Sequence, residues 1–204
     1  MDNPLQALPP QSAPWTRSAA SSYLKLVGWK TTGTLPDSPK GVLIAAPHSS
    51  NWDLPFMLAV AGVFRLKINW LSKHTLFEGP MGPMMRALGG IPVDRRAHHG
   101  LVEQVMQRFN DSESMYLAVA PSGTRSGNTH WKSGFYHIAR AANVPIVCAF
   151  LDYKKKLGGV GPAIVPSGDI KADMDRIREF YADIVGFDGR KTVGVQLSEE
   201  LEKE

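Results

Sequence analysis

Residues 41–53 read Gly-Val-Leu-Ile-Ala-Ala-Pro-His-Ser-Ser-Asn-Trp-Asp, an apolar run that leads directly to one imidazole and one carboxylate. Residues 41–46 are continuously apolar over a short length, which predicts a strand covered on both faces of a sheet. Pro47 ends that strand because proline has no backbone N–H to donate to a neighbouring strand. We therefore expect His48 just beyond the carboxyl end of a buried strand and Asp53 at the start of the following helix.

Helical and strand patterns alternate on the carboxyl side of this stretch. The helical patterns cover residues 54–64, 81–88, 99–109, 133–142 and 170–184. The strand patterns cover residues 68–71, a brief strand within 89–96, and residues 115–120 and 145–151. We expect a hairpin of residues 153–156 with 160–165 at the edge of the sheet, with the glycines of 158–161 as its turn. The alternation predicts an α/β sandwich, in which helices cover both faces of a mostly parallel central sheet.

On the amino side, the chain begins with a proline-rich segment that is followed by a helical pattern. Residues 1–14 contain four prolines and are typical of a flexible leader. Trp15, Ala19, Tyr23 and Leu26 recur at helical spacing, which predicts an N-terminal amphipathic helix. Either this face packs on the domain core, or its aromatic rings and the neighbouring cations rest in a lipid interface.

One domain accounts for most of the chain. A length of 204 residues fits a single α/β domain with a buried core. We assign residues 15–185 to this domain. The apolar pattern fades after Gly186, so residues 186–204 are assigned to a polar C-terminal tail. We expect its last residues, which are polar and acidic, to be loose.

Charge and cysteine content narrow the class of protein. Lys and Arg outnumber Asp and Glu by four, a mild basic excess that favours phosphate-bearing or membrane-surface partners and does not indicate nucleic acid. The single cysteine, Cys148, lies in an apolar run, so we expect it to pack as a small hydrophobic residue in a reducing compartment. His130 and His137 have no carboxylate at ligand spacing, so we expect no metal site. No stretch approaches the ~20 apolar residues of a membrane-spanning helix.

His48 and Asp53 are the first candidates for chemistry. One tight turn can bring the carboxylate of Asp53 to an imidazole nitrogen of His48, where it would fix the tautomer and stabilise the imidazolium. The other nitrogen could then take a proton from a substrate hydroxyl. Taken alone, the spacing favours a simpler interpretation, in which Asp53 caps the helix and His48 is an ordinary loop residue.

Cations at other strand ends favour a binding site over the simpler interpretation of His48 as a loop residue. Lys73, Arg95 and Arg125 each follow the end of a predicted strand, as His48 does. Ligands of parallel sheets bind beyond the carboxyl ends of the strands. Arg95 offers a guanidinium fork for a phosphate, and Thr124 with the neighbouring glycine-flanked backbone offers further donors. Each arginine alone is typical of a solvated surface charge, but the convergence of these groups with His48 favours phosphate binding.

Four short motifs then identify a family. They occur in the order and approximate spacing of the four blocks of the glycerolipid acyltransferases: His48-Ser-Ser-Asn-Trp-Asp53, Gly90-Ile-Pro-Val-Asp-Arg95, Pro121-Ser-Gly-Thr-Arg125-Ser and Val144-Pro-Ile146. Over roughly residues 42–151 the chain resembles the bacterial 1-acylglycerol-3-phosphate (lysophosphatidate) acyltransferases, which carry the HX4D motif. Residues 131–139 are also similar to the segment that follows the third block.

The resemblance implies an O-acyltransferase of phospholipid biosynthesis, with His48 as its general base and Asp53 as the partner of that base. The acceptor phosphate would be bound by Arg95, Gly123, Thr124 and Arg125, with Lys73 and Lys132 as additional candidates. A hydroxyl of a lysophospholipid such as 1-acylglycerol-3-phosphate would attack the thioester of acyl-CoA or acyl-carrier protein. No metal or other cofactor is needed. Because no spanning segment is predicted and the first helix is amphipathic, we expect a cytoplasmic location, peripheral on the inner face of the membrane.

Ser122 departs from the family pattern, because most members carry glutamate at this position of the third block. The serine removes a negative charge beside the proposed phosphate site and leaves a hydroxyl that can donate a hydrogen bond. It opens two alternatives to the acyltransferase. Ser122 could be a nucleophile activated by His48 and Asp53 in a lipid hydrolase or transferase, or the protein could be a non-catalytic lipid-binding relative.

The methionine-rich segment 76–88 adds a candidate for the acyl-chain site. Met81, Met84 and Met85 are flexible enough to line a groove for a hydrocarbon chain. The same side chains are equally suited to core packing.

Overall fold

A seven-stranded sheet forms the centre of the computed structural model, which describes residues 11–93, 101–122 and 130–200. The strands are β1 (Lys30–Thr32), β2 (Lys40–Ala46), β3 (Ile68–Lys73), β4 (Gly90–Val93), β5 (Met115–Val119), β6 (Ile146–Asp152) and β7 (Leu157–Ile164). The helices are α1 (Pro14–Leu26), α2 (Asp53–Val63), α3 (Gly82–Ala87), α4 (Leu101–Asp111), α5 (Gly134–Ala141) and α6 (Ile170–Tyr181). Two short 3₁₀ helices cover His74–Phe77 and Ser198–Glu200.

The strands follow the order β1-β7-β6-β2-β5-β3-β4 across the sheet. The pairings among β6, β2, β5, β3 and β4 are parallel, so these five strands end at the same edge, which we call the carboxyl edge. Strand β7 runs antiparallel to β6, and β1 pairs in parallel with β7. The predicted α/β architecture is confirmed, including the mostly parallel sheet and the helix that precedes it.

The apolar run of β2 is covered on both faces, as its sequence predicts. Val42 and Ile44 lie in the larger core cluster with residues of α5 and α6, whereas Leu43 belongs to the cluster on the opposite face of the sheet. Cys148 of β6 lies in the larger cluster, and burial raises the pKa of its thiol to about 12. The prediction that this cysteine packs as a small hydrophobic residue is confirmed.

The predicted edge hairpin is wrong in its details, because β7 pairs with β6. The turn covers residues 153–156, and the glycine-rich segment 158–161 lies inside β7. A side chain does not fit there, since a Cβ at Gly159 would lie 2.0 Å from the carbonyl oxygen of Thr32 in β1. Strand β7 is also not at the edge of the sheet. The short strand β1, which the sequence pattern does not reveal, pairs with its outer side.

Helix α1 packs on α2 with a different face from the one that its sequence predicts. Leu24 is buried, whereas Trp15 and Leu26 are 70% and 86% exposed. The helices approach closely because Gly62 of α2 has no side chain, and a Cβ there would lie 2.9 Å from the Cβ of Ala20. The interpretation in which Trp15 and Leu26 pack on the domain core is therefore wrong. Within the described ranges, no helix has the length and apolar character needed to cross a bilayer.

The segment after residue 185, which the sequence assigns to a polar tail outside the domain, packs on the domain as far as residue 200. Leu197 is fully buried in the larger core cluster, and Val195 is also buried. The backbone N–H of Trp131 donates to the carbonyl oxygen of Gln196 at 2.9 Å. Two apolar side chains and a few backbone hydrogen bonds are enough for this packing. They form no periodic pattern that sequence reasoning detects.

Candidate active site

His48 and Asp53 meet at the carboxyl edge of the sheet. His48 lies in the loop after β2, and its Nδ1 atom is 3.1 Å from the Oδ2 atom of Asp53, the first residue of α2. The backbone N–H groups of Ser49 and Ser50 both donate to the same oxygen at 2.9 Å. Asp53 therefore binds the loop before it and does not occupy the cap position of α2, which belongs to Trp52. The contact predicted from the spacing is present, and the simple capping interpretation does not hold.

Tyr153 completes the contacts of Asp53, and sequence reasoning missed it. This residue begins the turn after β6, and its hydroxyl donates to the Oδ1 atom of Asp53 at 2.8 Å. Three aromatic rings surround its own ring with centroids 4.9, 5.8 and 5.3 Å away, those of Trp29, Phe56 and Phe187. The available signal was positional, because Tyr153 follows a strand of the parallel set just as His48 does.

The contacts of Asp53 outweigh the cost of burying its charge. The residue is only 6% exposed, and burial by itself raises the pKa of Asp53. Hydrogen bonds from His48, the Ser50 backbone and Tyr153 favour the charged form, and together they hold the pKa below its ordinary value of 3.8. The pKa of Tyr153 is raised, because the ring is buried and its hydroxyl faces the Asp53 charge. At neutral pH the pair therefore consists of a carboxylate acceptor and a protonated phenol donor.

An apolar cavity of about 740 Å³ opens beside His48 and Asp53, between α2 and the sheet. Small side chains on three neighbouring strands make room for it, namely Ala45 of β2, Ala118 of β5 and Ala149 of β6. Larger apolar side chains form most of the remaining wall, among them Leu43, Met57, Val60, Trp70 and Val160. Its size and apolar wall are typical of a site that binds a small organic molecule.

Two of the predicted phosphate-binding residues lie on this cavity. Lys73 is the last residue of β3, Lys132 precedes α5, and both line the cavity although they are exposed to solvent. In the described part of the chain, no group of three or more His, Cys, Asp or Glu side chains is arranged to hold a metal ion. The other four predicted phosphate binders lie outside the described residues: Arg95, Gly123, Thr124 and Arg125.

Ser122 lies in the turn after β5, two residues beyond a cavity-lining alanine. Ala120 lines the cavity, whereas Ser122 is not among the lining residues of the described ranges. The structure therefore does not place the Ser122 side chain on the cavity wall beside His48.

The predicted methionine groove does not coincide with the cavity. Within residues 76–88, Leu76 alone contributes to the described part of the cavity wall. Met85 is buried in the core, while Met81 and Met84 are 53% and 48% exposed. Met85 of α3 packs toward the sheet, whereas Met84 of the same helix and Met81, which precedes the helix, lie on the surface. Core packing, the other interpretation of this segment, holds for Met85 alone of the three.

The chain is similar to known proteins in its fold and in its sequence family. No curated protein matched the chain. Among solved structures, the chain is similar to the crystal structure of the 1-acyl-sn-glycerophosphate (LPA) acyltransferase PlsC from Thermotoga maritima. The TM-score is 0.59 at 16% sequence identity, over 93% of this chain and 79% of that chain, which shows a shared fold. Residues 31–151, a range that holds His48, Asp53 and both cavity lysines, match the family described as Acyltransferase. The chain therefore belongs to the acyltransferase family.

Proposed function

We propose that the protein transfers a fatty acyl group from a thioester, acyl-CoA or acyl-carrier protein, to a hydroxyl of a lysophospholipid such as 1-acylglycerol-3-phosphate. The observation that carries this proposal is the 3.1 Å contact between His48 and Asp53 at the wall of an apolar cavity of about 740 Å³. The contact supplies an oriented base, and the cavity offers an apolar environment for a hydrocarbon chain. Membership of the acyltransferase family supports acyl transfer as the class of reaction.

His48 is the general base of the proposed reaction. Because its Nδ1 atom faces Asp53, its Nε2 atom is left to accept the proton of the acceptor hydroxyl. The hydroxyl oxygen attacks the carbonyl carbon of the thioester, a C–O bond forms, and the C–S bond breaks. The proton on His48 passes to the departing thiolate, so the protein returns to its starting state without a cofactor. Asp53 stays ionised throughout and stabilises the imidazolium.

The acyl chain of the donor and the phosphate of the acceptor would occupy different parts of the site. The apolar wall that α2 and the sheet provide suits an acyl chain. The two lysines that line the cavity, Lys73 and Lys132, suit a phosphate, because ammonium groups bind phosphate oxygens, as arginine forks also do. The proposed acceptor-phosphate residues are Lys73, Lys132, Arg95, Gly123, Thr124 and Arg125.

The test is a panel of lysophospholipid acceptors and glycerol-3-phosphate, each assayed with one labelled acyl-CoA. General-base catalysis typically raises the rate about 10²–10⁴-fold. The kcat of His48→Ala should therefore fall by that factor, while the protein remains folded. His137→Ala is the matched control, because His137 also contacts a carboxylate, Glu199 at 3.4 Å, but does not line the cavity. Near-normal transfer by a folded His48→Ala protein would contradict the proposal.

The same assay separates the two alternatives. We expect protein quenched during turnover to have its unmodified mass, and an acyl group found on Ser122 would support the nucleophile mechanism instead. Binding of lysophosphatidate without thioester consumption, with both acyl-CoA and acyl-carrier protein as donors, would support the lipid-binding alternative. Ser122→Glu in the same panel should change the preferred acceptor while acyl transfer continues, because it adds a negative charge next to the proposed phosphate site.

We also propose that the protein acts at a membrane surface, on the cytoplasmic face. A lysophospholipid resides in the bilayer, and α1 presents exposed apolar side chains that suit a lipid interface, among them Trp15 and Leu26. Arg17 and Lys25 are also exposed on this helix and suit anionic lipid headgroups.

A further inference from the structure

We infer that Tyr153 is a positioning residue, whose hydroxyl fixes the Asp53 carboxylate in the orientation that holds His48. This inference rests on the proposed roles of His48 and Asp53. Tyr153 is 100 residues from Asp53 in the chain, and the two meet because β6 pairs directly with β2.

The hydrogen bonds of Asp53 are divided unequally between its two oxygens. The Oδ2 atom faces three donors, namely His48 and the backbone N–H groups of Ser49 and Ser50. The Oδ1 atom accepts from the Tyr153 hydroxyl at 2.8 Å. Rotation of a carboxylate about its terminal bond is soft, so donors on one oxygen alone leave the plane of the group poorly defined. The hydroxyl on the second oxygen defines that plane and thereby the direction in which Oδ2 faces the imidazole.

Tyr153 is itself held firmly enough to act in this way. Its backbone N–H donates to the carbonyl oxygen of Val185 at 2.9 Å. Its ring lies edge-on to Trp29 and Phe187, at interplanar angles of 85° and 87°. Aromatic packing of this kind restricts the ring, so the hydroxyl is directed at Asp53 before any substrate binds.

The hydroxyl also supports the charge on Asp53 without neutralising it. In the described ranges, no Lys or Arg side chain forms an ion pair with Asp53, and the titratable groups that face it are His48 and Tyr153. Tyr23 lies further out and faces Tyr153. A cation in the place of the phenol would compensate the carboxylate, and less of its charge would act on the imidazolium. A neutral donor satisfies the buried oxygen and leaves that charge available to His48.

The test compares Tyr153→Phe with the wild type in acyl transfer as a function of pH. The variant keeps the ring and loses only the hydroxyl, so we expect kcat to fall about tenfold and the KM for the acceptor to change little. We also expect the acid limb of the kcat/KM profile to move to higher pH. A carboxylate with one donor fewer holds a proton more strongly, so the His48–Asp53 pair stays protonated to higher pH.

A matched control separates positioning from loss of packing. Tyr116→Phe removes a buried hydroxyl that donates to the carbonyl oxygen of Ser38 at 2.9 Å, at the opposite edge of the sheet. It should lower the melting temperature while kcat and the pH profile stay as in the wild type. In an Asp53→Asn background, Tyr153→Phe should cost little further activity, because its effect passes through Asp53.

The outcomes distinguish failure of this inference from failure of the proposed function. Absence of acyl transfer by the wild type across the acceptor panel would overturn both. An active wild type that needs His48, together with a Tyr153→Phe variant whose kcat and acid limb are unchanged, would overturn the inference alone. A tenfold loss that is the same in the Asp53→Asn background would also overturn it.

Discussion

At the scale of single residues, Asp53 serves the fold and the proposed chemistry with the same four contacts. Its carboxylate faces His48, two backbone N–H groups of the loop after β2, and the hydroxyl of Tyr153. These contacts tie α2 to the loop after β2 and to the turn after β6. The contacts that orient His48 therefore also stabilise the carboxyl edge of the sheet.

Asp53→Asn should lower the free energy of unfolding at neutral pH by about 1–3 kcal/mol, because an amide has one acceptor oxygen where a carboxylate has two. The pKa of Asp53 in the folded protein lies below its ordinary value of 3.8. The charged form therefore stabilises the fold above pH 3.8, and this stability is lost as the pH falls through the lower folded-state pKa. Urea unfolding at neutral pH and at several acidic pH values measures the difference, which should shrink in acid.

Asp183→Asn provides the comparison for this stability measurement. Asp183 is a 79% exposed carboxylate that contacts Lys191, and exposed ion pairs contribute little to stability. Its substitution should change the free energy of unfolding far less than Asp53→Asn does. A difference for Asp53→Asn that stays constant into acid would show that the carboxylate charge is not its source.

At the scale of the elements, sequence reasoning succeeded where an element carries its own pattern. Strand β2 was predicted because its apolar run and Pro47 are both local, and the His48–Asp53 contact followed from five positions of spacing. Strand β1 was missed because only β7 gives it a partner, and β7 was misplaced because its glycines mark the close approach of β1 rather than a turn, as Gly159 beside the backbone of Thr32 shows. Tyr153 was missed for a related reason, since its partner is known only once β6 is placed beside β2.

The three alanines that line the cavity leave the space in which an acyl chain would lie. Larger side chains at these positions should limit the length of the acyl chain that the site accepts. Ala149→Leu should narrow the space beside His48, so thioesters with long acyl chains should lose activity while short ones are retained. One misplaced methylene in an apolar pocket is worth about 10–200-fold in kcat/KM, which sets the expected size of the loss. The measurement is kcat/KM over a series of acyl-CoA lengths.

Ala163→Leu is the control, because Ala163 of β7 is exposed and does not line the cavity. An equal loss at every length would argue against this cavity as the acyl site.

At the scale of the whole molecule, the uncovered face of α1 bears on where the protein works. The full sequence has a formal net charge of +4, and Trp15 is 70% exposed. The protein should float with anionic liposomes, and added salt should weaken flotation by screening the charges.

Trp15→Ala should weaken binding about tenfold or more, because a large apolar side chain is no longer buried in lipid. Val165→Ala is the control, because Val165 is 66% exposed but follows β7 and does not belong to α1, and it should leave flotation unchanged. A protein that stays at the bottom of the gradient under all conditions would count against interfacial binding.

The pairing of β1 with β7 also dictates an order of assembly. Residues 30–32 leave the ribosome early, but the strand they join is formed by residues 157–159, which are made much later. Closing so long a loop is entropically costly, and no local contact can substitute for the missing partner. Until β7 is in place beside β6, β1 has no position in the sheet. Of the seven described strands, β1 is therefore the first to be synthesised, yet it cannot enter the sheet before β7, the last to be synthesised.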